Sequence, residues 1–204
     1  TIPFHEFRSD SLRARLGYLS LKPRSVVDTF SPEMAKAIHN RAGWADCIVA
    51  SELVTAPYVR RLNKPCVWDD LEIAAGLDAW RSVHGAARLR RWLTWQKTTR
   101  YVRRLLPAYK AVTVVSEVEQ GILGQIAPDY RGCKVLPNGV DTEHNRPGVA
   151  IPAPGKLVYS GALTYSANYN AIKYFLAEIF PLIRQQSPDA HLEVTGSTQG
   201  VNLA

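Results

Sequence analysis

Short apolar runs alternate along the chain with longer stretches in which apolar residues recur every three or four positions. Cys47-Ile48-Val49-Ala50, Cys66-Val67-Trp68, Ala111-Val112-Thr113-Val114-Val115 and Cys133-Lys134-Val135-Leu136 have the length and β-branched content of buried strands. Strands of that kind separated by helical segments are the pattern of a parallel sheet with crossover helices, so the chain reads as an α/β protein. Ser31-Pro32-Glu33 opens a helix, with serine at the cap and proline at the first helical position, where no amide hydrogen is needed. A second helix is predicted over residues 51–62, and a longer one over 86–106, where Pro107 stops it. Ser116, with Glu119 three residues on, makes a capping box in which hydroxyl and carboxylate each satisfy a free amide, and the helix behind it runs to about residue 126.

The strand at Cys133 ends in Pro137-Asn138-Gly139. Asn138 and Gly139 tolerate left-handed backbone angles, and the turn reads as a hinge. Residues 146–156 are rich in proline and glycine and lack periodicity, as a linker between domains would be. A new unit follows: strand Lys156-Leu157-Val158-Tyr159-Ser160, Gly161 in the turn, a helix over 168–186, and strand His191-Leu192-Glu193-Val194-Thr195 ending at Gly196. The expected organisation is one domain over residues 1–145, a linker over 146–156 and the opening of a second domain over 157–204. A single strand-helix-strand unit is too small to bury both faces of its sheet.

Candidate chemistry lies at the end of the Cys66 strand, where a polar turn carries Asp69, Asp70 and Glu72. Carboxylates at the carboxyl end of a parallel strand face the ligand side of the sheet and can hold substrate hydroxyls or a proton. Capping of the next helix explains them equally well.

Charge narrows the partners. The formal net charge is +7, but no acidic residue lies between Asp78 and Glu117 while nine basic ones do, so the rest of the chain is slightly acidic. On a helical wheel Trp92, Trp95, Val102, Leu105 and Leu106 share one side, Arg90, Lys97, Arg100, Arg103 and Arg104 gather on the other, and Arg91 breaks the pattern. This basic aromatic helix has three readings: the solvated face of a crossover helix, contact with an anionic membrane surface, or contact with nucleic acid. The first two are the stronger, and nucleic acid is not among the expected partners.

The three cysteines are odd in number and widely spaced, and they read as buried thiols. The five histidines are dispersed and suggest neither a metal site nor a triad. No apolar run approaches the roughly 20 residues of a membrane span, and no leader pattern opens the chain. The expected location is the cytoplasm or the inner face of its membrane. The absent initiator methionine suggests that Thr1 is not the native start.

Three segments together carry a resemblance. Val112-Thr113-Val114-Val115-Ser116-Glu117, Val135-Leu136-Pro137-Asn138-Gly139-Val140-Asp141-Thr142 and Leu157-Val158-Tyr159-Ser160-Gly161 resemble the centre of family 4 glycosyltransferases. Arg88-Leu89-Arg90-Arg91-Trp92 and Ile179-Phe180-Pro181-Leu182-Ile183-Arg184 look like the bacterial exopolysaccharide sugar transferases of that family. The resemblance implies a GT-B architecture of two Rossmann-like domains, the first binding a glycan or lipid-linked acceptor and the second a nucleotide sugar. It further implies transfer with retention, no metal and no cofactor beyond the donor. Helix N-termini and backbone amides would hold the donor diphosphate, here beside Gly161, Asn168 and Gly196.

Departures from the family pattern are as informative. The Gly-Arg and following lysine that often neutralise the diphosphate are replaced by Gly161-Ala162-Leu163-Thr164-Tyr165-Ser166-Ala167-Asn168, and no histidine stands near Trp68. The acidic pair of the donor domain would lie beyond Ala204, and the first glycine-rich turn would precede Thr1. The chain alone is therefore not expected to bind donor or turn over. A nucleotide-sugar epimerase of the same architecture, and a non-enzymatic module binding anionic membrane, are the alternatives.

Overall fold

The computed structural model describes residues 2, 5–60, 62–148 and 151–201. The chain divides into two compact units, Thr1–Gly139 and Val140–Ala204. In the first, α1 (Leu12–Leu16), α2 (Arg24–Thr29) and α3 (Pro32–Arg41) precede strand β1 (Ile48–Ser51) and the single turn α4 (Glu52–Thr55). There follow β2 (Cys66–Asp69), α5 (Ala74–Arg81), the long α6 (Gly85–Leu105), β3 (Ala111–Val114), α7 (Glu117–Ile126) and β4 (Cys133–Val135). The strands form one parallel sheet in the order β1-β2-β3-β4, with Ser51 opposite Asp69 and Trp68 opposite Val112. This is an α/β fold of the Rossmann-like class.

Strand alternation builds the core. Cys66 and Trp68 on β2, and Val112 and Val114 on β3, are buried, while the residues between them are only half so. Against them pack Val102, Leu105 and Leu106 from the end of α6 and Leu123 from α7. Trp68 tilts against Tyr109 with ring centroids 5.2 Å apart, and the Tyr109 hydroxyl donates to the Ala56 carbonyl at 2.6 Å.

The helix predicted over 51–62 is not formed as such. Only α4 is α-helical, and a 3₁₀ turn, Ala56–Tyr58, replaces the rest, because Pro57 has no amide hydrogen for the next bond and its ring crowds the preceding turn. Ahead of β1, the short helices α1 and α2 are joined by polar groups more than by apolar ones. Asp28 on α2 has no exposed surface; it accepts hydrogen bonds from the Ser11 hydroxyl and, at 2.8 Å, from the Arg8 amide. Arg24 donates to the carbonyls of Ala14 and Ser9 and to the Tyr18 hydroxyl, and its guanidinium lies 4.1 Å from the Tyr18 ring centroid.

The second unit holds β5 (Lys156–Ser160) and β6 (His191–Thr195), paired in parallel over five residues. Between them run α8 (Ser166–Tyr174), a π-helical turn (Phe175–Ile179) and α9 (Phe180–Gln186). One uninterrupted helix was expected here. Pro181 cannot donate to the carbonyl one turn back, and the wide turn just ahead of it takes up the mismatch.

The expected hinge residues Asn138 and Gly139 close the segment behind β4. Neither takes a left-handed backbone angle; in the stretch that follows, such angles occur at Gly148 and Gly155. Residues 136–141 belong to no helix or strand and are exposed, and the Asp141 side chain accepts from the amides of Glu143 and His144, capping the turn that follows.

Candidate functional site

Parallel strands end on one side of their sheet, so the residues just past β1, β2 and β3 share a rim. Asp69 sits in the middle of that rim. One of its carboxylate oxygens accepts from the Thr113 hydroxyl on β3 at 2.5 Å, and the other from the Ser51 hydroxyl on β1 at 3.3 Å. Thr113 Oγ1 accepts in turn from the Asp70 amide at 3.1 Å. The carboxylate is therefore held from both neighbouring strands while it remains half-buried.

Backbone strain marks the same rim. Glu52 and Asp70 have φ of 65° and 53°, in the left-handed region that L side chains rarely adopt. Each follows directly on the end of a strand, β1 or β2, and Ser51 pairs with Asp69, so the strained residues are neighbours. Such conformations cost about 1–3 kcal/mol each and gather where a chain must aim side chains at a ligand.

Helix capping does not account for the acids. The first free amides of α5 are taken by Glu119 on α7, whose carboxylate accepts from Ile73 N at 3.0 and 3.2 Å and from Ala74 N at 2.9 Å. Asp69, Asp70 and Glu72 make no such bond. This also corrects the predicted capping box. Ser116 does accept from the Glu119 amide, at 3.3 Å, but the Glu119 carboxylate turns away from Ser116 and into the interior, where the residue is only 4% exposed.

No family model matches this chain, and no curated protein matches it.

In the second unit Gly161, Asn168 and Gly196 come together at the carboxyl ends of β5 and β6. Gly161 N donates to Thr195 O at 2.9 Å, and a Cβ at Gly196, whose φ is 123°, would lie 2.6 Å from the Gly161 carbonyl oxygen. Glycine at 196 is therefore required by the close approach of the two chain segments. Asn168 Nδ2 donates to Ala162 O at 3.1 Å and lies 2.9 Å from where a Gly161 Cβ would be. Its amide orders the turn ahead of α8, and this close contact by itself accounts for a glycine at 161. Helix α8 opens at Tyr165 without a side-chain cap.

Helix α6 sorts its basic residues differently from the wheel. Arg100, Arg103 and Arg104 are exposed. Lys97 is not free: its ammonium donates to the carbonyls of Tyr18 at 2.6 Å and Gly17 at 3.4 Å, which removes it from any surface contact. Trp92 is 38% exposed, outside the buried face formed by Trp95, Tyr101, Val102 and Leu105. Leu89 and Leu93, at 60% and 49%, stand on the outer side of the helix.

The thiols also divide. Cys66 is buried and Cys133 half-buried, and burial raises both above the ordinary thiol value, which keeps them protonated; Cys47 is exposed, against the expectation of three buried thiols. Among the described residues no group of three or more His, Cys, Asp or Glu is placed to hold a metal.

Sequence reasoning named Asp69 and missed Ser51, Glu52 and Thr113. The only signal for Thr113 was a polar residue inside an apolar strand. Ser51 and Glu52 depended on knowing where β1 stops.

Proposed function

We propose that this chain is part of a GT-B glycosyltransferase that moves a sugar from a nucleotide-sugar donor to a glycan or lipid-linked acceptor. The supporting observation is the rim of the first sheet, where Asp69 is held between Ser51 and Thr113 beside two strained acidic residues. The resemblance to family 4 transferases adds to it: the Val112 and Leu157 segments contain most of β3 and of β5, and the Val135 segment begins at the last residue of β4.

In this reading the first unit binds the acceptor. Asp69, oriented by its two hydroxyl donors, accepts a hydrogen bond from the attacking hydroxyl and aims its oxygen, and the exposed Asp70 and Glu72 take neighbouring hydroxyls of the same sugar. The second unit faces the donor, with the uncapped start of α8 available to the diphosphate. The family's diphosphate cations are absent from 161–168, so backbone amides carry more of that role here. Attack by the acceptor oxygen at the anomeric carbon breaks the bond to the diphosphate, and the acceptor proton leaves with it.

The test uses the protein at its full natural length with radiolabelled uridine, guanosine and adenosine diphosphate sugars and membranes bearing lipid-linked acceptor. Label should pass to the lipid or polymer fraction, and Asp69→Asn should slow that transfer about 100-fold without changing the unfolding midpoint. Epimer formation or release of free sugar with no acceptor consumed would instead select an epimerase.

A further inference from the structure

The first unit contains a second polar concavity, separate from the acidic rim. A cavity of 620 Å³ opens between the N-terminal turns and the first half of α6. Four arginines line it, Arg15, Arg24, Arg90 and Arg91, against one acid, Asp10. Asp10 is already 3.7 Å from the Arg8 guanidinium. Arg24 is committed to Ser9, Ala14 and Tyr18. Among the described residues, the guanidinium groups of Arg15, Arg90 and Arg91 have no hydrogen bond, ion pair or ring beneath them.

We propose that this pocket binds the phosphate or diphosphate group of an organic phosphate through Arg15, Arg90 and Arg91. Three uncompensated guanidinium groups around one concavity repel one another, and an oxyanion removes that repulsion while accepting from each planar fork. Arg91, the residue that breaks the wheel's pattern, lines the pocket beside Arg90, Thr94 and Thr98, and like Arg15 and Arg90 it is open to solvent.

The pocket's place in the fold selects its role. Helix α6 leads back to the start of β3, so it runs against the strands and begins on the side of their carboxyl ends. At about 31 Å it is far longer than the roughly 13 Å of a four-residue strand, so its first half reaches past the rim. Leu53, just beyond the end of β1, forms another wall. The anion is therefore bound on the same side of the sheet as Asp69. That it belongs to a phosphorylated acceptor rests on the transferase reading; that the pocket takes a phosphate does not.

The test is calorimetric titration of the 204-residue chain with inorganic pyrophosphate, geranyl diphosphate and glucose 1-phosphate. Pyrophosphate should bind, and Arg15→Gln and Arg91→Gln should each weaken it about 10-fold or more, while Arg184→Gln in the other unit leaves it unchanged. Arg91→Lys should recover only part of the loss, because an ammonium cannot grip two oxygens at once. Tighter binding of geranyl diphosphate identifies a lipid-linked source, and tighter binding of glucose 1-phosphate a soluble sugar phosphate. Absence of pyrophosphate binding, or equal binding in all four variants, overturns the proposal. Binding that obeys these substitutions in a protein that transfers no sugar would keep the pocket and sink the transferase reading.

Discussion

Glu119 shows how one side chain can be misassigned by spacing and still be legible in kind. A serine three residues before a glutamate predicts reciprocal capping, and half of it forms. The carboxylate meets the bare N-terminus of α5 instead, more than forty residues away in sequence, because α5 has no capping side chain of its own and its amides are buried. A charge there is favoured twice, by the amides and by the positive end of the helix. Replacing Glu119 with Ala should leave those amides unpaired and cost about 2–3 kcal/mol, read as a lower urea midpoint. Asp69 differs in that its donors are hydroxyls on adjacent strands. Ser51 and Thr113 were invisible as partners until β1, β2 and β3 were set side by side.

At the scale of elements, α1 and α2 are too short to be stable by themselves, and Asp28 is what joins them. Burial alone would raise its carboxyl. The hydrogen bonds from Ser11 and the Arg8 amide, with the nearby charges of His5 and Arg13, outweigh that effect and hold it below the ordinary 3.8. A folded value below the unfolded one means that the carboxylate contributes its stability above about pH 3.8 and loses it as pH falls through the folded value. Hydrogen exchange should therefore show the α1 and α2 amides opening on acidification from pH 5 to pH 3 before the β2 and β3 amides do. In Asp28→Asn those helices should already exchange faster at pH 5, with a weaker response to acid.

At the scale of the molecule the two units are unequally built. The first has a continuous core including Trp68, Leu71, Ile73, Leu105 and Val112, whereas among the described residues the buried apolar ones of the second are Leu163, Ile172 and Ala190. Val158 and Val194, on paired strands, remain partly exposed. A two-stranded sheet with so little buried area opens readily. Amides of β5 and β6 should exchange at least about 10-fold faster than those of β2 and β3 under native conditions. Equal protection would mean that the second unit draws its stability from elsewhere. No helix of the described residues is long and apolar enough to cross a membrane.

Hydrophobic periodicity and β-branched runs were enough to determine that this is an α/β protein with parallel strands, because burial on a pleated strand or on a helix face is a local pattern that the chain must carry in its own order. Pro57 and Pro181 could have been read the same way, since a missing amide hydrogen acts within one turn, but the predicted helices ran through both. Contacts across elements were not legible. Which carboxylate caps α5, which hydroxyls hold Asp69, and which arginines of α6 share a pocket with Arg15 all depend on register and helix rotation. Those are decided only when the strands pair and the helices settle on them, for a hydrogen bond or a charge cluster is a matter of a few ångströms and no spacing along the chain encodes it.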